Sequence, residues 1–588
     1  MELNSKPNFN KFPLISLSGM EEECFQGWKD ICHELNRTLA GISGRKKVIV
    51  VETYQGVHHN EILSSISGGL NISTTFRTAD IFLSEDKINT LAKKDLTHDR
   101  VFGYLTSLNI IDFLDPEKLE GLRSRLKKTE SGTILIYGYG AAVVEPEPDI
   151  LIYADMARWE IQQRMRRNEV SNIGISNREE TFERQYKRGY FLDWRICDRL
   201  KKKLMAGWDY VLDTNRAGSP KMATGRAVKT GLEHAYSRPF SLVPYFDPGP
   251  WGGQWMKEVL DLDKKKENFA WCFNCIPEEN SLYLGFGEVV FEIPSINLVF
   301  RDPVKLLGDA VHARFGDEFP IRFDFLDTMD GGNLSLQVHP LTEYIQENFG
   351  IPYTQDESYY MVDAKDGASV YLGLKEGIDP DNMIAELKEA EKTGGFFNAD
   401  NHIQNWPATK HDHFLIPAGT VHCSGKNGMV LEISSTPYIF TFKLWDWGRV
   451  GMDGKPRPIN IDHGKNVIQW ERTEIWTKRN LINQVEEIDR GDGWVEEKTG
   501  LHKREFIETR RHWFSKKVHH HTDGGVNVLN LVEGREALVE SPSGAFEPFV
   551  VHYVETFIVP AHVGEYTISP YGESKGQKCA TIKAFVRT

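Results

Sequence analysis

From about Val243 to its end the chain is written as short apolar, β-branched runs separated by glycine and proline. That punctuation restricts the region to short strands in barrels or jelly rolls. The runs include SLYLGFGEVVFEI, FLIPAGTVHCSG, MVLEISS and YIFTFKLW, and a second set extends from about Phe514 to Val586. One stretch breaks the pattern: residues 379–394, DPDNMIAELKEAEKTG, open on an Asp-Pro start signal and read as a helical insertion. The entrance to the region, SRPFSLVPYFDPGPWGG, concentrates proline and glycine as a domain boundary does.

Residues 1–235 are a different text. KKVIVVE at 46–52 is a compact apolar run suited to a buried parallel strand, with further candidates at 77–83, 133–137 and 149–155. Helical segments at 157–167 (ARWEIQQRMRR) and 193–205 (DWRICDRLKKKLM) lie among and after them, so the half reads as an α/β parallel sheet. The expected organisation is therefore multidomain: an α/β domain at 1–235, an all-β domain with the insertion at 236–480, and a second β domain at 481–588. Such a size fits the 588 residues, too many for one ordinary core.

Charge and cysteine usage exclude several classes. A formal net charge of −14 argues against a nucleic-acid or anionic-membrane partner, because phosphate backbones demand a basic face. The seven cysteines are scattered, and the CxxC of Cys272 and Cys275 has no second pair to complete a zinc site, so it reads as structural. The first residues lack an apolar signal core and no 18-residue apolar run follows, which points to a cytoplasmic protein.

The β region carries the chemistry. NLSLQVHP (333–340) sets Gln337 and His339 two apart on a strand, hence on one face. DESYYMVDAKDGASVYLG adds Glu357, and PAGTVHCSG adds His422. An amide, two imidazoles and a carboxylate from three strands suit one divalent metal, zinc first, with manganese, iron or cobalt less preferred. VHHHTDGG brings His519, His520 and His521 into the last domain, where a solvent-facing cluster is the default over a second metal.

These motifs resemble the type I mannose-6-phosphate isomerases. The likeness lies in LLGDAVHARFGDEFPIRFDFLDTMDGGNLSLQVHP, DESYYMVDAKDGASVYLGL, HFLIPAGTVHCSGKNGMVLEIS, LWDWGR and RPINIDHGKNVI, in collinear order, with PGPWGGQW resembling the opening of that fold. The resemblance implies a double cupin and a metal held by Gln337, His339, Glu357 and His422. It further implies a phosphate-associated Ser335 and Glu432 as the proton-transferring base. Three positions depart: Asp324 and Gln355 stand where the family pattern has lysines, and Lys443 where it has an arginine. Arg449 of LWDWGR is a further catalytic candidate. The expected function is metal-dependent aldose–ketose isomerisation of mannose 6-phosphate or a related, non-phosphorylated sugar. The alternative is a non-catalytic sugar-binding or regulatory cupin that keeps the metal.

The N-terminal half resembles uridine kinase-like P-loop proteins in its order of features, including ERQYKRGY. Its decisive loop departs. ETYQGVHHNE offers one glycine, Gly56, and His58, His59 and Asn60 where a phosphate-binding GxxxxGK[ST] needs glycine amides and a lysine. A degenerate domain without phosphotransfer is expected. Arg158, Arg164, Arg166 and Arg167 are read as a charged helix face rather than the remnant of a phosphate patch.

Overall fold

The structure, a computed structural model, describes residues 7–435, 439–450, 457, 459–500 and 505–588. The chain folds into two units: Pro13–Ala235 with Pro277–Asp302, and Met1–Phe12 with Tyr236–Ile276 and Pro303–Thr588.

In the first unit, strands β1 (Lys46–Thr53), β2 (Ile72–Arg77), β3 (Gly132–Gly138), β4 (Ile150–Asp155) and β5 (Tyr210–Asp213) are parallel, in the order β2-β3-β1-β4-β5. Strand β6 (Lys221–Thr224) adds antiparallel to β5, and Cys24–Gln26 closes the seven-stranded sheet. Every residue of β1 from Val48 to Thr53 is buried, as its unbroken apolar text requires of a strand covered on both faces. Helices Arg158–Arg166 and Trp194–Leu204 fall where expected. The 77–83 strand does not: β2 ends at Arg77, and Thr78–Ile81 is a single 3₁₀ turn. Arg77 and Asp80 pair at 2.9 Å across that turn, and the β-branched Thr74 and Thr75 upstream extend the strand instead.

The run 281–293 forms the expected strands, yet it belongs to this first unit. Ser281–Phe286 and Val289–Pro294 make a hairpin, and the first of them pairs parallel with Leu14–Ser16. Polar bonds fix the segment there. Asn297 Nδ2 donates to Asp155 Oδ2 at 2.9 Å, Gln162 Nε2 to Glu279 Oε2 at 2.5 Å, and the Glu292 amide to Asp213 Oδ2 at 3.1 Å.

The second unit holds two pairs of sheets. The first pair uses β7 (Tyr245–Asp247), β8 (Trp271–Cys275), β9 (Ile321–Asp327), β10 (Leu336–Val338), β11 (Glu357–Ala364), β12 (Ser369–Leu374), β13 (Ile403–Pro407), β14 (His413–Ile416), β15 (His422–Ser424), β16 (Gly428–Ser435) and β17 (Phe442–Trp445). Their orders are β14-β11-β16-β9-β8-β7 and β13-β12-β15-β10-β17. The insertion is a helix, Pro380–Thr393, whose N-cap Asp379 accepts from the amides of Asp381 and Asn382. The second pair uses β18 (Glu486–Gly491), β19 (Trp494–Gly500), β20 (Ile507–Phe514), β21 (Val518–His521), β22 (Asn527–Glu533), β23 (Glu536–Glu540), β24 (Phe549–His552), β25 (Thr556–Val559), β26 (Glu565–Pro570) and β27 (Cys579–Val586). These run β18-β19-β20-β27-β22-β25 and β21-β26-β23-β24 around a core that includes Phe514, Leu529, Leu531, Phe557, Tyr566 and Ile568. Both pairs are sandwiches rather than closed barrels. Among the described residues no helix is long and apolar enough to cross a membrane.

Candidate metal centre

The first sandwich gathers the expected ligands from both of its sheets. Gln337 of β10 lies directly opposite His422 of β15 on one side and Lys443 of β17 on the other, so the three side chains share a face. Glu357 begins β11 in the facing sheet. Glu357 Oε1 is 2.7 Å from His422 Nε2, and Oε2 is 3.1 Å from His339 Nε2. One ligand atom from each of these three residues fits within 4.8 Å of the others, and all three residues are buried. Gln337 Nε2 sits 3.2 Å from His422 Nε2, and a rotation of the amide presents its oxygen at the same place.

The orientation of the rings tests whether the set fits a cation. His422 Nδ1 lies 2.8 Å from the carbonyl of Thr420 and His339 Nδ1 lies 3.2 Å from that of Phe440. Each Nδ1–H is thereby engaged, which leaves each Nε2 lone pair aimed at the carboxylate. Despite the short spacings, neither His339 Nε2 nor Glu357 Oε1 has a hydrogen bond of acceptable geometry among the described residues. Acceptor facing acceptor in a dry interior is the donor set of a divalent metal.

The other expected residues divide. Glu432 on β16 stands opposite both Tyr359 of β11 and Asp324 of β9, which puts all three on the face that carries Glu357. Burial, then the charges of Asp324 and Glu357, push its carboxyl well above the usual range. Asp324 is fully buried there, and burial lifts its carboxyl to about 6 against the pull of Arg322. Arg322, two residues back and on the same face, reaches Asp324 at 3.2 Å and Glu432 at 3.5 Å. Gln355 is not free to meet a ligand with its amide nitrogen, which donates to Glu357 Oε2 at 3.1 Å.

Ser335 belongs to a separate group at the end of β10 and β17. Its hydroxyl donates to Asp446 Oδ1 at 2.6 Å; Arg449 pairs with the same oxygen, and Arg457 with Oδ2 at 2.9 Å. Burial, then the neighbouring Arg457, lowers the Lys443 ammonium to about 8. Two arginines thus pair with one carboxylate beside Ser335, and Lys443 acts on it through space. Residue-type reasoning missed Arg322, Tyr359, Asp446 and Arg457. The first two had a readable signal, the i, i+2 spacing from Asp324 and Glu357 that puts them on the same strand face.

Elsewhere, His519 and His521 are exposed whereas His520 is buried. Cys272 and Cys275 are buried in the core and form no disulfide. The arginine helix is not a simple charged face. Arg164 is fully buried and donates to the carbonyls of Gly56 at 2.8 Å and Thr214 at 2.5 Å. Arg158 lies over the Trp194 ring at 4.1 Å and 3.7 Å from Asp198. Only Arg166 and Arg167 keep to the surface role, Arg167 pairing with Glu160 and Glu169.

Comparison with known proteins finds similarity over parts of the chain. Residues 27–237 match a family described only as a domain of unknown function, DUF8485. A Bacillus subtilis protein named probable mannose-6-phosphate isomerase GmuF is 26% identical over 235 residues, 40% of this chain and 69% of that protein. The mannose-6-phosphate isomerase of Streptococcus mutans is 25% identical over 225 residues, 37% of this chain and 64% of that protein. The crystal structure of the Bacillus subtilis mannose 6-phosphate isomerase aligns with a TM-score of 0.48 at 18% identity, over 59% of this chain and 99% of that one.

Proposed function

We propose that this chain is a metal-dependent aldose–ketose isomerase for a small sugar or sugar phosphate, with one divalent ion, zinc by preference. The observation that carries the reading is the buried acceptor set of His339, Glu357 and His422, with Glu432 on the adjacent strand. Similarity to curated mannose-6-phosphate isomerases supports the reaction class.

Isomerisation moves a proton between C1 and C2 through an enediol and needs a base and a stabiliser of negative charge. When bound, the metal supplies Lewis-acid polarisation of the substrate oxygens. Glu432 serves as the base. Its seclusion with Asp324 and Glu357 raises its affinity for a proton, and Arg322 stands 3.5 Å away as the opposing charge. Lys443, opposite Gln337, offers a second electrostatic partner. The cations around Asp446 supply an anchor for a phosphate beside Ser335, in place of the lysines missing at Asp324 and Gln355.

The decisive experiment couples elemental analysis to turnover of mannose 6-phosphate, free mannose and lyxose. Glu432→Gln should keep its metal and lose about 10²-fold or more in kcat, the usual contribution of a general base. One observation favours the second reading, a non-catalytic sugar binder: the ion pair of Arg322 with Glu432 occupies the base. Saturable sugar binding without conversion of any of the three sugars would decide for it.

For the first unit we propose a degenerate P-loop-like scaffold without phosphotransfer. The loop after β1 has Gly56 at φ +101° as its turn, and the buried Arg164 pins that glycine's carbonyl. His59 Nδ1 lies 3.0 Å from the Tyr137 hydroxyl, so its ring is held by the protein itself.

A further inference from the structure

We propose that the interior of the second sandwich binds a small hydroxylated anion, a hydrogenphosphate or hydroxycarboxylate group, on Lys583, His512, His520 and Thr581. Neither the metal centre nor the isomerase reading enters this inference.

Register places the four residues together. His512 of β20 pairs with Thr581 of β27, and Lys583 follows two residues on, opposite Arg510. This is the face that carries Phe514, Cys579, Leu529 and Leu531 into the apolar core. In the other sheet Val518 and Ile568 belong to that core, and His520 and Tyr566 stand opposite each other two residues beyond. The interior therefore changes along its length from apolar to polar. The His512 and His520 rings lie 4.5 Å apart at 71°, and His520 stacks on Tyr566 at 5.1 Å.

What singles the cluster out is its unmet bonding. His512 Nδ1, His520 Nε2 and Thr581 Oγ1 are all buried without a hydrogen-bond partner among the described residues. His512, His520 and Thr581 are 2%, 7% and 0% exposed. Buried polar atoms are satisfied in more than nine cases of ten, so three facing one interior, two from one sheet and one from the other, call for a ligand. Lys583 is 7% exposed, and no described carboxylate reaches ion-pair distance of its Nζ; Glu496, Glu508 and Asp523, the last paired with His521, act on it only through space. Both acids are already engaged: Glu496 by His512 at 3.0 Å and Arg510 at 3.0 Å, Glu508 by Arg510 at 2.7 Å. A buried ammonium without a counter-charge is costly, and an anion removes the cost.

The remaining atoms narrow the ligand. His512 gives its Nε2–H to Glu496, so its Nδ1 is a lone pair that accepts a proton donor. A bare carboxylate has none to give. Hydrogenphosphate and a hydroxycarboxylate carry both the negative charge for Lys583 and an O–H for His512, while Thr581 serves either way. Only one three-donor metal cluster occurs among the described residues, and it is not this one.

The test is calorimetric titration of the full chain with inorganic phosphate, lactate and acetate. Phosphate or lactate should bind, acetate more weakly than lactate, and Lys583→Met should weaken the bound anion by about tenfold or more, as loss of a charge-assisted contact does. Phosphate held in the first sandwich persists in Lys583→Met, so the signal is the equivalent lost on substitution. Thr581→Val, which removes only a hydroxyl, should also weaken binding and decides the matter if Lys583→Met does not fold. Identical binding in wild type and both folded variants would overturn the proposal. So would acetate binding as tightly as lactate, or no binding of phosphate or lactate at about 10 mM, a concentration that detects even millimolar affinities.

Discussion

Chelation should destabilise one unit of this protein and leave the other alone. The ligands His339, Glu357 and His422 all lie within the unit formed by Met1–Phe12, Tyr236–Ile276 and Pro303–Thr588. A ligand that binds only the folded state stabilises it by about 4 kcal/mol when present at a thousand times its dissociation constant. Unfolding entropy is about 2.1 cal/mol/K per residue, so a unit of about 340 residues carries about 0.7 kcal/mol/K and its melting point should move by about 6 °C. Differential scanning calorimetry of the full chain, with zinc and then with a chelator, should show one transition falling by that amount. The transition of the Pro13–Ala235 unit should stay in place. His422→Ala removes a fully buried ligand and should abolish the difference between the two conditions. Displacement of both transitions, of neither, or a full zinc-dependent shift in His422→Ala would refute the assignment of the site.

Three more outcomes are expected. Gly56→Ala should destabilise the first unit by about 1–3 kcal/mol, measured by denaturant unfolding, because Gly56 has φ +101° and a Cβ there would meet Ile161 Cγ1 at 2.8 Å. The full chain should show no ATP hydrolysis in a phosphate-release assay, since the loop lacks the lysine and glycine amides that cradle a triphosphate. Burial, partly offset by Glu496, holds Lys583 at about 8, below its ordinary 10.5. Between those pH values the unfolded chain binds more protons than the folded one, so this lysine makes stability rise with pH by up to about 3 kcal/mol. Wild-type unfolding free energy should gain on that of Lys583→Met by this amount across the window, and parallel pH profiles would count against it.

Part of the candidate metal site was legible because strand geometry has period two, which sets Gln337 and His339 to one side by spacing, while Glu357 and His422 sit in motifs of fixed residue type. The parallel sheet was legible in the same way, from apolar runs such as the one that became β1. What escaped depended on pairing between strands distant in sequence. Asp324 stands where the family pattern has a lysine, and only the folded register shows it opposite Glu432 and bonded to Arg322. Gln355, at the other lysine position, donates its amide to Glu357, a contact its sequence neighbours do not announce. The run at 281–293 has the alternation of any half-buried strand, and nothing in that alternation names the sheet it will join. Arg164 has the composition of a surface residue; only the carbonyls of Gly56 and Thr214 explain its burial.

The hairpin of Ser281–Phe286 and Val289–Pro294 also determines how this polypeptide can be made and cut. A ribosome that has released residue 235 has delivered the parallel sheet but not the strand against which Leu14–Ser16 pairs. That unit cannot be completed until residue 302 has emerged, by which time the start of the other unit, Tyr236–Ile276, is already out and waiting for its partners in Pro303–Thr588. The two folding reactions are therefore interleaved in time, although their cores are separate. A protease faces the mirror image of the same threading. One nick near residue 235 leaves the fragments joined through 277–302, and a gene truncated there encodes Leu14–Ser16 without either of the two strands that complete its sheet.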